Sequence, residues 1–186
     1  YKWNKTRDNT WSTSTTNTTN LNTNYLTYLD SKNTKWKNMI ADTTWYVGGM
    51  TYANGVLSNA KTAYDYEVGA NKDATTTLTS KIGMMYVSDY YYAASEDYWT
   101  LPGWSSSGNS YSKASNDNWL YIGLYEWTIS RDSGDSDLAF RVFGNGSVRY
   151  NVVDYGIVLR PSFSLSSSIK FTSGEGTAVN PIRVNL

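Results

Sequence analysis

The sequence contains no cysteine and no histidine, and both absences narrow what the chain can do. Without cysteine there is no disulfide framework, so the fold must be held together by packing, above all by aromatic side chains. Ser-His-Asp triads, Cys-His nucleophiles and zinc hydrolases are excluded for want of their residues. Any catalysis would have to rely on carboxylates, as in glycoside hydrolysis.

The chain also lacks net charge, because 16 basic residues balance 16 acidic ones over 186 positions. A basic field that could release counterions from nucleic acid is missing, so we expect no nucleic-acid partner. No apolar stretch approaches the roughly 20 residues of a membrane span, so we expect no membrane insertion. Instead, 17 tyrosines and 8 tryptophans lie among serine, threonine and asparagine. This composition is typical of extracellular bacterial surface proteins, and we expect a cell-surface location.

The composition divides the chain at about residue 20. Residues 1–20 are rich in serine, threonine and asparagine and predict a polar N-terminal arm. Trp3 and Trp11 argue against complete disorder, and we expect one or both to dock onto the domain. Residues 21–186 are long enough for a single domain with a substantial core.

The clearest local pattern is a β-hairpin in residues 138–152. Apolar and polar residues alternate on both sides of Gly144-Asn145-Gly146, and Asn-Gly supplies the two positive-φ positions of a tight turn. Residues 155–161 are apolar at nearly every position, which predicts a third, central strand. Upstream, an apolar stripe predicts a helix over 54–68, and an apolar run predicts a buried strand over 81–87.

A long irregular excursion is predicted for residues 99–118, which are rich in serine, glycine and asparagine. An irregular stretch of this length in a compact domain is usually functional or packed by its own aromatic residues. Trp104 and Tyr111 lie within it, and we expect them to form one wall of a binding site.

The order of these elements resembles the C-type lectin-like fold. Residues 126–131, EWTISR, are similar to the W-W-L-R-S strand of bacterial lectin-like domains, with Thr128 at the second tryptophan position. Residues 143–148 resemble their V-x-x-D-G-x-V turn, and residues 156–161 resemble their closing G-V-R-P strand. The tail, with residues 168–177 followed by Asn180-Pro181, is similar to that of surface and pilin-like proteins of gut Firmicutes.

This resemblance implies an α+β domain in which two short helices flank a small antiparallel sheet with a long irregular insertion. The enzyme branches of the fold depend on cysteine or on a histidine cluster, and this chain has neither. The clustered acids are Glu126, Asp132, Asp135, Asp137 and Asp154. We interpret them as solvated or turn-forming residues rather than a catalytic pair, and we expect no enzyme.

A calcium ion is the alternative for residues 132–137, whose carboxylates and hydroxyls are the oxygen ligands that calcium prefers. However, the loop lacks the spacing of an EF-hand, and the sugar-binding signatures of calcium-dependent lectins are missing. Aspartate and serine are also ordinary turn formers. We therefore expect no cofactor and keep calcium as the alternative.

The resemblance implies that the terminal sheet displays a ligand-binding face. Its residue types suit an interface, since tyrosine offers contact area at low entropic cost and the polar residues offer adaptable hydrogen bonds. The candidate residues are Trp104, Tyr111, Arg131, Asp132, Ser133, Asp135, Asp137, Arg141, Arg149, Tyr150, Asn151, Asp154 and Tyr155.

Three functions follow from this interpretation. The first is a non-catalytic adhesion module of a Gram-positive cell surface that binds a host or microbial glycan or protein. The second is a structural subunit of a pilus or surface fibre that self-associates. The weakest is a phage receptor-binding domain.

Overall fold

The computed structural model describes residues 1–104 and 109–185 and contains helices together with small antiparallel sheets. A π-helix at Thr16–Tyr25 runs directly into the first α-helix. The α-helices are α1 (Leu26–Lys32), α2 (Lys35–Met39), α3 (Tyr52–Gly55), α4 (Ala60–Glu67) and α5 (Val87–Tyr92). The strands are β1 (Thr43–Tyr46), β2 (Thr77–Ser80), β3 (Glu126–Arg131), β4 (Leu138–Val142), β5 (Val148–Val152), β6 (Lys170–Ser173) and β7 (Arg183–Asn185). Short 3₁₀ helices lie at Trp11–Thr13, Glu96–Tyr98 and Tyr111–Asn116.

The predicted hairpin is confirmed, because β4 and β5 pair in antiparallel register from Leu138 opposite Val152 to Val142 opposite Val148. The predicted turn type is wrong, since only Gly146 has a positive φ, of 86°. The Asn145 carboxamide oxygen accepts from the Ser147 amide and hydroxyl, which holds Asn145 at negative φ. The loop is therefore a three-residue turn that ends on a left-handed glycine.

The predicted central strand over residues 155–161 is wrong. The sheet order is β3-β4-β5, so β4 is central. The segment instead lies beside β3, where the Val158 amide donates to Tyr125 and the Trp127 amide donates to Val158, at 3.0 and 3.1 Å. On its other side, the Ile157 amide donates to the Tyr1 carbonyl. Its apolar run reflects packing against the core rather than a place in a ladder.

Residues 81–87 are buried as predicted, but they do not form a strand. Gly83 makes one isolated bridge with Ser162, and Val87 already begins α5. The Asn22 carboxamide takes the place of a strand partner, since it both accepts from the Ile82 amide and donates to the Ile82 carbonyl. Side-chain partners of this kind satisfy buried backbone without a ladder.

The helix predicted over residues 54–68 is divided into α3 and α4. The Asn59 side chain accepts a 2.9 Å hydrogen bond from the Thr62 amide and caps the start of α4. Asparagine competes with helix continuation in this way because its side chain satisfies a free amide of a first turn. The break leaves Val56 fully buried between the two helices.

The β3-β4-β5 sheet lies between two apolar clusters. Phe140, Val142 and Val148 belong to one cluster, together with side chains of α4 and α5. Trp127 and Ile129 belong to the other cluster, with residues of the N-terminal segment. Such two-sided burial is why β3 is buried along nearly its whole length.

The N-terminal segment contributes directly to the second cluster. Trp3 and Trp11 are both buried, and their rings meet at 5.2 Å. The indole nitrogen of Trp3 donates to the Thr128 carbonyl of β3 at 3.0 Å. The predicted docking of these tryptophans is confirmed, while a domain boundary at residue 20 stays a prediction.

Part of the predicted excursion, residues 105–108, lies outside the described residues. The remainder includes the 3₁₀ helix at Tyr111–Asn116 and the Gly103 carbonyl, which accepts from the Val148 amide at the outer edge of β5. Within the described chain, no helix has both the length and the apolar character needed to cross a membrane.

Replacing the buried Trp3 tests the role of the N-terminal segment in the fold. We expect Trp3→Ala to lower the free energy of unfolding by about 3–5 kcal/mol, because it empties a core site and removes the hydrogen bond to the Thr128 carbonyl. The matched control is Trp119→Ala, since that side chain is 77% exposed and should change stability by less than about 0.5 kcal/mol. Equal urea midpoints for both variants would contradict this role.

Candidate ligand-binding face

Two arginines face each other across the terminal hairpin. Arg141 on β4 and Arg149 on β5 are direct cross-strand partners, so their side chains share one face of the sheet. Like charges directly opposite each other destabilise a sheet. The pair therefore needs surroundings that hold the two guanidinium groups in place.

Aromatic rings supply those surroundings. The Arg141 guanidinium lies 4.4 Å from the ring centre of Phe143, 5.0 Å from that of Tyr125 and 5.4 Å from that of Tyr155. These distances are within the range of cation–π attraction. We call Arg141, Arg149 and the rings of Trp104, Tyr125, Phe143 and Tyr155 the arginine–aromatic cluster.

Trp104 and Phe143 hold the second arginine. The Arg149 guanidinium lies 3.1 Å from the ring centre of Trp104 and 5.3 Å from that of Phe143. Phe143 therefore contacts both guanidinium groups and packs edge-on against Tyr125 at 4.9 Å. Four sequence-predicted residues, Trp104, Arg141, Arg149 and Tyr155, are thus brought together.

Neither arginine of the cluster has a polar partner among residues 1–104 and 109–185. Both are half-buried, and both Nε atoms are buried without a hydrogen bond. Burial also lowers the pKa of Arg141. By contrast, the half-buried Arg131 donates to the Val47 carbonyl and the Asn9 side chain, and the half-buried Arg160 pairs with Glu126. The cluster is thus the place where half-buried positive charge has no described protein acceptor.

A depression of about 400 Å³ lies near the start of β4. The predicted residues Asp132, Asp135 and Tyr150 line it together with Tyr52. Tyr52 meets the ring of Tyr150 edge-on at 5.3 Å and that of Trp104 at 6.4 Å. Tyr52 therefore connects this depression to the Trp104 ring of the arginine–aromatic cluster.

Other predicted residues have structural partners. Arg7 of the N-terminal segment forms exposed ion pairs with Asp137 and Asp154, at 3.9 and 3.6 Å. Ser133 donates through its hydroxyl to the Met50 carbonyl. Asn151 is half-buried opposite Ala139 in the hairpin.

Tyr111 lies in the core rather than at the surface. It is fully buried, and its hydroxyl donates to the carbonyls of Tyr90 and Tyr91 at 2.8 Å. Burial raises its pKa above the usual range. The expected wall of Trp104 and Tyr111 is therefore reduced to Trp104, and we leave Tyr111 out of the site.

The loop over residues 132–137, considered for calcium, is organised by a side chain from the N-terminal segment. The Asn9 amide nitrogen lies 2.7–2.8 Å from the carbonyl oxygens of Asp132, Asp135 and Leu138. The Asp132 carboxylate accepts from the Gly134 amide, at 2.9 Å, instead of pointing to a shared centre. In the part of the chain that the structure describes, no three acidic residues converge as a metal site would require.

Among the clustered acids, Glu126 and Asp132 lie far apart, whereas Asp137 and Asp154 share Arg7 as an ion-pair partner. Glu126 starts β3 and Asp132 follows its end, so at about 3.3 Å per residue they lie roughly 15–20 Å apart. Glycosidase carboxylates lie about 5–9.5 Å apart. Glu126 is instead held by Arg160 through two hydrogen bonds of 2.7 and 2.8 Å. Burial raises the Glu126 pKa, although the Arg160 guanidinium opposes the shift.

Glu67 is a deeply buried acid that sequence reasoning did not single out. Its carboxylate accepts from the Val87 and Ser88 amides at the start of α5, both at 2.9 Å, and from the Ser130 hydroxyl of β3. Burial raises its pKa to about 7, outweighing these hydrogen bonds. Through these hydrogen bonds the Glu67 side chain links α4 to α5 and β3.

Sequence reasoning also missed Tyr125, Phe143 and Tyr52. Phe143 follows Arg141 by two residues, so strand alternation alone could have placed it on the same side. Tyr125 and Tyr52 reach the site through the pairing of distant segments, and no local pattern marks them.

No known protein family, curated protein or solved structure matches the chain.

The raised pKa of Glu67 predicts a pH-dependent stability. Between pH 4.5 and 7 the folded protein holds the Glu67 proton more tightly than the unfolded chain, so stability falls as pH rises. Relative to Glu67→Gln, which cannot titrate, the wild-type free energy of unfolding should fall by about 3 kcal/mol across this window. Urea denaturation at both ends measures it. A difference that stays constant with pH would mean that folding does not raise the Glu67 pKa.

Proposed function

We propose that this chain is a non-catalytic, extracellular cell-surface module of the C-type lectin-like class that binds a ligand on the face of its terminal sheet. The observation that carries the proposal is the arginine–aromatic cluster. Arginine and aromatic residues dominate the energetics of binding sites, because they combine contact area with directed hydrogen bonds. A host or microbial surface glycan or protein is the partner that such a face would hold.

The construction of the cluster supports binding over a structural role. A structural arginine that is half-buried gains stability by donating to a carbonyl or a carboxylate, as Arg131 and Arg160 do. Arg141 and Arg149 donate to no described group, and they repel each other across the strands. Holding two cations in this arrangement costs stability, and an external acceptor would offset that cost.

Removing both cluster arginines tests the proposal. The purified chain should select ligands on an array of surface glycans and proteins, and Arg141→Gln/Arg149→Gln should weaken that binding by about tenfold or more. The control Lys37→Gln/Arg183→Gln removes the same total charge from exposed positions and should bind like wild type. Unchanged melting temperatures would show that both variants fold. An array with no hits, or binding indifferent to the arginine substitutions, would refute the proposed face.

A second candidate, a subunit of a pilus or surface fibre, is favoured by the C-terminal hairpin. Every residue of β6 and β7 is exposed, including the cross-strand neighbours Phe171 and Val184. A two-stranded hairpin with exposed apolar side chains is marginally stable by itself and gains from packing against another chain.

Self-association tests this second candidate. If the hairpin mediates assembly, light scattering should give a concentration-dependent mass for wild type and a monomer for Phe171→Ser/Val184→Ser. The control Leu57→Ser changes a 50% exposed side chain on the body of the domain and should assemble like wild type. A wild type that remains monomeric at high concentration would exclude assembly through this hairpin.

A further inference from the structure

We infer that the ligand is an acidic saccharide whose carboxylate is held between Arg141 and Arg149. The inference rests on the proposed binding function and names the chemistry of the same face. Guanidinium groups match carboxylates through paired, charge-assisted N–H···O hydrogen bonds. Two guanidinium groups on directly opposed residues offer such donors to a single anion.

The electrostatics favour an anion at the arginine pair. The chain as a whole is neutral, so it exerts no general attraction on polyanions. Locally, the two arginines lack an ion pair with any described residue, whereas the nearby Arg7 is paired with Asp137 and Asp154. A bound carboxylate would relieve the repulsion between the arginines. The cation–π contacts already fix both guanidinium groups, which lowers the entropy lost on binding.

The surroundings favour a sugar as the body of the ligand. Tyr125 and Tyr155 are 46% and 51% exposed, and their rings lie beside the Arg141 guanidinium. Flat exposed rings suit the C–H face of a pyranose. From Tyr125 a shallow apolar groove of about 520 Å³ continues past Leu124, Ile157 and Tyr1. This volume lies within the range of small-molecule sites and has room for more than one sugar unit.

An acidic peptide fits this groove less well. Peptides commonly bind by adding a strand to a free backbone edge. Here the backbone along the groove is already paired on both sides, since Ile157 bonds with Tyr1 and Val158 bonds with Tyr125 and Trp127. Side chains therefore have to provide recognition, and they are aromatic rings and an arginine pair.

Isothermal titration with matched trisaccharides tests the inference. The probes are trigalacturonic acid, its methyl ester, a neutral galactose trisaccharide, and a trisaccharide that ends in a sialic acid. We expect at least one carboxylate sugar to bind at least about tenfold more tightly than its neutral counterpart. Comparing the two acidic probes shows whether the site prefers a uronic or a sialic acid. Arg141→Gln and Arg149→Gln should each lose about tenfold in affinity, and Tyr125→Ala should weaken both acidic and neutral sugars.

The control and the contrary outcomes are distinct. Lys37→Gln/Arg183→Gln should bind the acidic sugar like wild type, because both residues are exposed and neither belongs to the arginine–aromatic cluster. Equal affinity for the acid and its methyl ester would overturn the inference while leaving the binding function intact. If the array of surface glycans and proteins yields only protein ligands, the saccharide inference is likewise overturned and the binding function is left intact. If poly-aspartate or inorganic sulfate displaces the sugar at equal concentration of charge, the site recognises charge alone and the saccharide assignment is wrong.

Discussion

The burial of the polar face of β3 is the constraint on which the rest of the structure depends. Glu126, Thr128 and Ser130 alternate with the apolar Trp127 and Ile129, yet both faces are buried. Buried polar groups are costly unless they are paired, so each recruits a partner from a different part of the chain. Arg160 pairs with Glu126, the Phe140 carbonyl accepts from Thr128, and Glu67 accepts from Ser130. In this way one strand fixes α4, the neighbouring strand and the segment after the hairpin.

The same principle makes the arginine–aromatic cluster informative. Where charge is buried for structural reasons, as in Glu126 and Arg160, the partners meet in a two-point contact with other donors and acceptors close by. Arg141 and Arg149 are half-buried without such a partner among the described residues, and aromatic rings contact both guanidinium groups. Cation–π attraction stabilises a guanidinium but leaves its hydrogen-bond donors unused. In this respect the two arginines differ from Arg131 and Arg160, which donate to a carbonyl and to a carboxylate.

The sequence predicted elements whose signal is local and missed those decided by distant partners. Alternation and the Gly-Asn-Gly turn were enough to predict the β4–β5 hairpin. The apolar run of residues 81–87 correctly predicted burial but not the secondary structure. The absence of a strand there depends on Asn22, some 60 residues away, whose amide substitutes for a neighbouring strand. Likewise, alternation pointed to Arg141 and Arg149 but not to Tyr125. The Tyr125 ring joins the cluster because β3 pairs with β4. The local sequence of one strand does not determine which strand it pairs with.

The N-terminal segment shows why composition is a poor guide to burial in this chain. Its serine, threonine and asparagine content predicts a polar arm, yet Asn9 is buried. Its amide nitrogen lies within hydrogen-bonding distance of two carbonyl oxygens of the loop between β3 and β4 and of the Leu138 carbonyl at the start of β4. Arg131, at the end of β3, donates to the oxygen of the same side chain. A loop that has the composition of a cation site thus has its carbonyls turned toward a neutral amide. Because Asn9 shapes this loop, and Asp132 and Asp135 of the loop line the depression with Tyr52 and Tyr150, the segment shapes part of the proposed binding face as well as the core.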